Sequence, residues 1–316
     1  MHFQEVIGVD ISKATFDAFI YSCSRAKVFS NNNVKSFDYF LRWLKQSIDV
    51  QLNQILVCLE HTGLYSLPLV SYLQAHDISF VLVPALEIKR SMGMRRGKSD
   101  QLDAMEIAKY AWLRKGQLQV TSLPSSNLLK INSLLALRKK LTAQRASLKS
   151  CLKEQLAFMN PQDNNVLFDT QKRLIEELNA QIKVLEKEIL RTIKQDAHIL
   201  ECYQLLISIK GVGPVLAWHM IGSTHCFTRF KTWKQFACYC GIVPFEYQSG
   251  SSIKAPRRVH HFANKKIKAL LTLAAMSAIQ ANPEMKIYYQ ERIARGKSKM
   301  STINIIRNKL VSRAFA

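Results

Sequence analysis

The feature of this sequence that most restricts its fold is a series of short apolar runs in its first third, each too short for a helix. EVIGVDISKATFDAFIY contains a polar turn at Ile11–Lys13 and predicts a β-hairpin. NQILVCLE and ISFVLVP predict two further buried strands, whereas SFDYFLRWLKQSI carries its apolar residues at helical spacing. Strands that alternate with helices predict an α/β sheet packed against helices, which we assign to residues 1–118.

The next segment, residues 119–200, has a different texture, because long runs rich in Leu, Lys, Glu and Gln replace the strand pattern. A break at PQDNN separates two predicted helices. Apolar residues recur at heptad spacing on both sides of it, at Leu134, Leu141 and Leu148 and at Ile175, Leu178, Ile182, Leu185 and Ile189. This pattern predicts a helical coiled-coil arm. An arm for oligomerisation and a hairpin that packs within one chain both remain open.

Residues 201–316 are predicted to be mainly helical, and they become strongly basic toward the end. Residues 254–316 hold fourteen Lys or Arg and only two acids, Glu284 and Glu291. In LLISIKGVGPVLAWHMI, an apolar helix, a Gly-Val-Gly turn and a second helix near Pro214 follow one another. This order predicts a helix-hairpin-helix, in which backbone N–H groups bind a DNA phosphate. An ordinary connection between two helices is the alternative.

The net charge of the chain indicates a polyanionic partner. Lys and Arg total 45 against 23 Asp and Glu, which leaves a formal charge of +22. Such an excess is typical of proteins that bind nucleic acid, although a merely basic surface is the alternative. The candidate contacts to nucleic acid are Arg95, Arg96, Lys98, Lys210, Gly211, Gly213, Lys254, Arg257, Arg258, Lys265 and Lys266.

Cysteine usage and hydropathy indicate a cytoplasmic protein, with nucleoid association expected from its charge. The seven cysteines include no CxxC pair, and their number is odd, which favours reduced, buried thiols. Cys238 and Cys240 lie near His219 and His225 but match no common zinc spacing, so core packing is the interpretation. No apolar run is long enough to span a bilayer, and the N-terminus lacks the pattern of a signal peptide, so no membrane partner is expected.

Four carboxylates are placed where a metal site would need them. Asp100 and Asp103 lie three residues apart on a predicted helix and therefore share a face. Asp10 lies on the first strand and Glu60 ends another, and sites gather at strand ends in α/β sheets. Because clustered anions repel one another, these four predict a site for Mg²⁺, or Mn²⁺, that supports phosphoryl transfer. Alternatively, two of them simply end strands and Asp100 caps a helix.

Several motifs in this order also carry a family resemblance. GVDISKATFD, CLEHTGLY and KSDQLDA resemble the RuvC-like DEDD domain of transposases of the insertion-sequence one-hundred-and-ten family, which has pilin-gene invertases as relatives. ISIKGVGPVLA and FACYCGIVPFEYQSGSS resemble the second transposase domain of that family. The resemblance covers nearly the whole chain. It implies a RuvC-like (RNase H-like) first domain at 1–118 and a transposase domain at 201–316, joined by the helical arm.

The resemblance further implies a chemistry and a set of partners. Ser249, the serine of the SG dipeptide, aligns with a nucleophile that forms a covalent protein–DNA intermediate and frees a 3′-hydroxyl. A guide (bridge) RNA that pairs with donor and target DNA is implied, as are composite sites in a homodimer or homotetramer. The expected function is DNA recombination by a transposase. Alternatives are a pilin-type invertase, a water-using Holliday-junction nuclease and a non-catalytic nucleic-acid-binding protein.

Overall fold

A computed structural model describes residues 3–31, 33–91, 100–249, 253–259 and 263–316 of the chain. These residues divide into two compact units, Met1–Leu123 and Pro124–Ala316. The finer division into three domains, with boundaries at residues 118 and 200, stays a prediction. Among the helices that the structure describes, none is both long enough and apolar enough to cross a bilayer.

The first unit is a five-stranded mixed sheet with helices. Strand order is β3-β2-β1-β4-β5, with β1, β2 and β3 antiparallel and β1, β4 and β5 parallel. The mixed α/β sheet confirms the predicted class of the first domain. In chain order the elements are β1 (Glu5–Ile11), β2 (Thr15–Ile20), β3 (Arg25–Ser30), α1 (Val34–Ser47), β4 (Ile55–Glu60), α2 (Leu67–Ala75), β5 (Ser79–Val83), α3 (Ala85–Ser91) and α4 (Asp100–Arg114).

The central strand β1 is covered on both faces, which explains why its sequence is almost continuously apolar. Ile7, Val9 and Ile11 point into a core that includes residues of α1 and α2. Val6 points to the opposite face, into a smaller core that contains Ile107 of α4. Because side chains alternate along a strand, the residues that follow Val6 at even positions also face this second side. Asp10 therefore lies on the face of the sheet that α4 covers.

The second unit is mostly helical, as the sequence predicts, but it also contains a two-stranded antiparallel sheet that the sequence does not predict. This sheet brackets the serine-rich segment, part of which lies outside the described residues. The elements are α5 (Ser126–Phe158), α6 (Asn165–Lys194), α7 (Ala197–Ser208), α8 (Pro214–Thr224), α9 (Trp233–Tyr239), β6 (Phe245–Ser249), β7 (Ile253–Arg258), α10 (Lys265–Ala281), α11 (Pro283–Ala294) and α12 (Lys299–Ala314).

The long helices α5 and α6 form an antiparallel hairpin within one chain. The Arg138 Nε and Nη2 atoms lie 2.8 and 2.6 Å from Glu186 Oε1, and nearer the tip Arg145 Nη1 lies 2.8 Å from Asn179 Oδ1. Along α6, the heptad residues Ile175, Ile182 and Ile189 are all buried. The hairpin accounts for the apolar periodicity of both helices. The coiled-coil geometry and a role in oligomerisation stay predictions.

The glycine turn between α7 and α8 is where the sequence places it. Gly211 adopts a φ of +99°, a conformation that residues with a Cβ rarely adopt. A Cβ at this position would also lie 2.7 Å from the carbonyl oxygen of Ala274 on α10. Both facts require glycine here. The use of this connection as a DNA-binding helix-hairpin-helix stays a prediction.

Candidate active site

Three of the four predicted carboxylates meet where β1 and α4 adjoin. One carboxylate oxygen from each of Asp10, Asp100 and Asp103 lies within 4.8 Å of the others. Asp10 is the penultimate residue of β1, and the other two occupy the first turn of α4. Asp10 and Asp103 are half-buried, whereas Asp100 is exposed. The cluster is therefore reached from solvent on the side of Asp100.

Gly8 explains how α4 comes so close to β1. A Cβ at Gly8 would lie 2.1 Å from the carbonyl oxygen of Ala104 and 2.3 Å from the backbone nitrogen of Ala108. Gly8 and Asp10 alternate on the same face of β1, and Asp100 precedes Ala104 by one helical turn. The contact between Gly8 and the backbone of α4 thus places the start of the helix over Asp10. Small residues on both elements position the carboxylates.

Glu60, the fourth predicted carboxylate, ends β4 beside Asp10. In the parallel register Val9 pairs with Leu59, so the next residues along both strands are neighbours at the same edge of the sheet. Glu60 is half-buried, and its charge acts on Asp10. Its oxygens lie outside the group of three that fall within 4.8 Å of one another. It borders the cluster and stands close enough to act on it electrostatically.

The electrostatics of the site disfavour charge on Asp10. The pKa of Asp10 is raised from 3.8 to about 6, first by burial and then by the neighbouring charges of Asp103, Glu60 and Asp100. The backbone N–H of Ile11 acts in the opposite direction and is outweighed. Like charges gathered at one place are costly unless a cation offsets them. The arrangement suits the binding of a positively charged ligand.

Asp17 is a fifth carboxylate at this site, and the sequence interpretation missed it. It pairs directly with Asp10 in the antiparallel register of β1 and β2, which puts both side chains on the same face. Asp17 is only 8% exposed, and burial followed by the charge of Asp100 raises its pKa. The signal was present in GVDISKATFD, since a tight hairpin places residues on either side of its turn opposite each other.

We expect the stability of the metal-free protein to fall as pH rises through the titration range of Asp10. The pKa is 3.8 in the unfolded chain and about 6 in the fold, so the folded state binds the proton more tightly. The stabilisation is therefore complete below about pH 4 and is lost as pH rises toward 6 and above. Urea unfolding in EDTA at several pH values measures it, and Asp10→Asn should flatten the profile. A profile that is identical in both proteins would contradict the assigned pKa.

The predicted nucleophile Ser249 belongs to the second unit. It is the last residue of β6, and its backbone pairs with Ile253 of β7. Lys254, Arg257 and Arg258 lie along β7, and Lys265 and Lys266 begin α10. Arg95, Arg96 and Lys98, the predicted phosphate contacts next to the carboxylates, lie outside the described residues.

Lys266 of α10 belongs to a group of cations that includes Arg138 and Lys139 of α5. Its pKa is lowered by burial and by the charges of Arg138 and Lys139. Nearby on α8, burial and the same cations lower the pKa of His219 to about 3. Its Nε2 atom is buried without a hydrogen-bond partner among the described residues. Cations held together in this way favour the binding of an anion, such as a phosphate.

Comparison with known proteins agrees with this geometry. A family model described as a transposase, covering the DEDD domain of IS110 transposases, matches residues 7–161. A second, described as a transposase of the IS116/IS110/IS902 family, matches residues 203–290. The two matches include all four predicted carboxylates and Ser249.

Individual relatives fall into two groups. The pilin gene-inverting protein of Moraxella bovis is 25% identical over 98% of this chain and 94% of its own length, and that of Moraxella lacunata shows the same identity and coverage. A 43.6 kDa protein of insertion element IS110 from Streptomyces coelicolor is 30% identical over 44% of this chain and 33% of its own length. With transposase domains matched in both units, the chain belongs to the IS110 family of transposases and recombinases.

Proposed function

We propose that this transposase is a Mg²⁺-dependent DNA recombinase that cuts and rejoins strands through a serine-linked intermediate. The observation that carries the proposal is the convergence of Asp10, Asp100 and Asp103 at the edge of the sheet, with Glu60 beside them. Family membership supplies the class of reaction, DNA processing. The carboxylates would supply the ligands for the metal ions that this reaction uses.

The proposed RuvC-like character of the first unit is supported by its topology. Three antiparallel strands, β3, β2 and β1, are followed in the sheet by β4 and β5, which run parallel to β1. The central strand carries one acidic residue near its end, the adjacent parallel strand ends on another, and a covering helix provides two more. This distribution over three elements is what a DEDD site requires.

The residues of the site fit a hard divalent cation. All of the candidate ligands are carboxylates, and Mg²⁺ and Mn²⁺ prefer oxygen ligands. The raised pKa of Asp10 is what is expected of a half-buried carboxyl group that shares its site with other anions. When bound, such ions polarise a phosphoryl oxygen and stabilise the oxygen that leaves. Asp10, Asp100, Asp103 and Glu60 would hold them.

Ser249 is proposed to supply the nucleophile. Its Oγ forms a bond to the phosphorus of a DNA phosphodiester, and the bond from that phosphorus to the 3′-oxygen breaks. The hydroxyl proton of the serine goes to solvent, and the departing 3′-oxygen takes up a proton in turn. The 3′-hydroxyl of another strand then attacks the phosphoserine and releases the serine. One phosphodiester is exchanged for another, so neither water nor ATP is consumed.

Nucleic acid and further copies of the chain are the proposed partners. DNA binding follows from family membership, and the net charge of +22 supports a large polyanionic surface. Lys210, Gly211 and Gly213 at the turn between α7 and α8 are proposed to contact phosphate, as are the basic residues of β7 and α10. A guide RNA and a homodimer or homotetramer are proposed on the same family relationship.

A site-specific DNA invertase is the second candidate. The observation that favours it is the coverage of the Moraxella pilin gene-inverting proteins, which match nearly the whole chain. The same carboxylates and serine would serve both reactions. Inversion and transposition differ in the arrangement of the two DNA sites. A plasmid that carries two inverted copies of the native ends distinguishes them, because an invertase reverses the segment between the copies and a transposase moves it to another site.

We expect Ser249→Ala to abolish the covalent protein–DNA adduct while leaving the fold intact. The test incubates purified protein with Mg²⁺, labelled donor and target DNA, and RNA transcribed from the flank of its gene. Denaturing gels then show the protein–DNA adduct as a band that persists in detergent and disappears after protease digestion. Asp10→Asn should also lose the adduct, whereas Ser147→Ala, at an exposed serine of α5, should keep it. Strand cleavage that survives in Ser249→Ala would contradict the serine mechanism and identify a water-using nuclease.

A further inference from the structure

A second cluster of metal-binding side chains lies in the helical unit, in residues to which the proposed function assigns no role. An imidazole nitrogen of His198 and the thiol sulfurs of Cys202 and Cys226 all lie within 4.8 Å of one another. The two thiols are buried and hydrogen-bond each other, whereas His198 is exposed. All three residues are described within the second unit, so the cluster is independent of the carboxylate site.

The helical hairpin formed by α7 and α8 brings these residues together. His198 and Cys202 lie four residues apart near the start of α7 and therefore share one face of that helix. Cys226 follows the end of α8, which runs back alongside α7 after the glycine turn. The cluster therefore lies at the open end of the hairpin, opposite the glycine turn, where α7 begins and α8 ends. A ligand bound to all three side chains would link α7 to the residues that follow α8.

The backbone that presents Cys226 is held in an unfavourable conformation. His225, Cys226 and Phe227 have φ angles of +50°, +53° and +64°. Residues that have a Cβ adopt this left-handed conformation only at an energetic cost. Surrounding contacts hold the turn: the Phe227 N–H donates to Thr224 Oγ1 at 3.0 Å, and the Phe227 ring packs edge-on against Phe315. Strained positions of this kind gather at functional sites.

The two thiols lie in a buried position, where a net charge is costly. A divalent ion with two thiolates and a neutral imidazole would carry no net charge. The buried surroundings of the thiols therefore accept this neutral complex more readily than they accept either a free cation or a free thiolate. Two sulfurs and one imidazole nitrogen are also the ligand types that select zinc over Mg²⁺.

We propose that His198, Cys202 and Cys226 form a zinc site that joins α7 to the end of α8. The three side chains supply three of the four positions of a tetrahedral ion, and a water molecule reached from the exposed side of His198 completes it. Binding transfers the two thiol protons to solvent, and no electron transfer is involved. The site goes beyond the proposed recombinase function and does not depend on it, because zinc content can be measured without DNA or strand cleavage.

The proposal is tested by metal analysis and by cobalt substitution of the full-length protein. Protein prepared under reducing conditions with zinc in the growth medium should retain one zinc per chain in plasma mass spectrometry. Co²⁺ added to the zinc-free protein should give a thiolate-to-metal charge-transfer band and the visible bands of a tetrahedral ion. Cys202→Ser and Cys226→Ser should each lose the charge-transfer intensity contributed by one sulfur. His198→Asn should weaken zinc binding by more than about 100-fold, because loss of an outer-shell partner alone costs about 10- to 100-fold.

Matched controls separate a metal site from misfolding and from the carboxylate cluster. His198 is exposed, so His198→Asn should fold as the native protein does and still lose metal. Cys238→Ser, at a half-buried cysteine of the same unit, and Asp10→Asn should both keep the full thiolate band. Native protein that shows no thiolate band, or a band that persists in the double variant C202S/C226S, would overturn the proposal. A disulfide between Cys202 and Cys226 in protein prepared under reducing conditions with zinc supplied would overturn it as well.

Discussion

Replacing Asp10 by asparagine is expected to lower Mg²⁺-dependent DNA strand cleavage by about 10³-fold or more. The charges of Asp103, Glu60 and Asp100 all act on Asp10. An amide keeps the size of the side chain but removes the negative charge and one proposed metal ligand. Cleavage rates under single-turnover conditions, at several Mg²⁺ and Mn²⁺ concentrations, measure the loss.

The same substitution should raise the stability of the metal-free protein although it lowers cleavage. This combination distinguishes a metal site from a purely structural one. In EDTA at neutral pH, Asp10→Asn should unfold at a higher temperature than the native protein, because it removes a carboxylate from among like charges. Added Mn²⁺ should raise the unfolding temperature of the native protein but not that of the variant. Asp49→Asn, at an exposed aspartate beyond the end of α1, should behave as the native protein does. A variant that cleaves normally would contradict the role of Asp10.

The second large effect is expected at Gly8. Gly8→Ala should destabilise the protein by about 3 kcal/mol, the upper end of the cost of overpacking, and should weaken metal binding at the same time. The added Cβ would meet the backbone of Ala104 and Ala108 rather than a side chain. No rotamer change can relieve such a contact, so α4 must move away from β1. That movement carries Asp100 and Asp103 away from Asp10.

Urea unfolding measures the loss of stability, and hydrogen exchange of peptides from β1 and α4 localises it. Gly116→Ala is the matched control in the same unit, because a Cβ there meets nothing within 4 Å and its backbone conformation is not left-handed. It should leave both the free energy of unfolding and metal binding unchanged. Equal stability of Gly8→Ala and Gly116→Ala would show that the close approach of the helix is unimportant for positioning the carboxylates.

The strands that form the centre of the sheet could be predicted from sequence because burial on both faces makes them continuously apolar. Val6 through Val9 and Ile55 through Leu59 have this character, and they form the middle of β1 and most of β4. The edge strand β3 could not be predicted in the same way. Only Phe29 of its six residues is buried, so it carries no apolar run. Its position depends on pairing with β2, which is a tertiary property.

The candidate site shows the same division between local and tertiary information. Asp100 and Asp103 could be paired from helical spacing alone, and strand ends pointed to Asp10 and Glu60. The closeness of α4 to β1 depends on Gly8, and a glycine in an apolar run does not show what approaches it. Cys202 lies on α7, and Cys226, 24 residues further along the chain, follows the end of α8. Only the fold reveals that His198 lies beside both of them.

The central claim, that these carboxylates hold divalent cations, is tested most directly by anomalous X-ray scattering from crystals grown with Mn²⁺. The account predicts anomalous peaks bonded to oxygens of Asp10, Asp100 and Asp103 at about 2.0–2.3 Å, with Glu60 bonded directly or through water. Asp10→Asn crystals treated identically should lose the peaks at this site. Native crystals in which these carboxylates carry no anomalous peak at saturating Mn²⁺, while the protein still cleaves DNA, would contradict the claim.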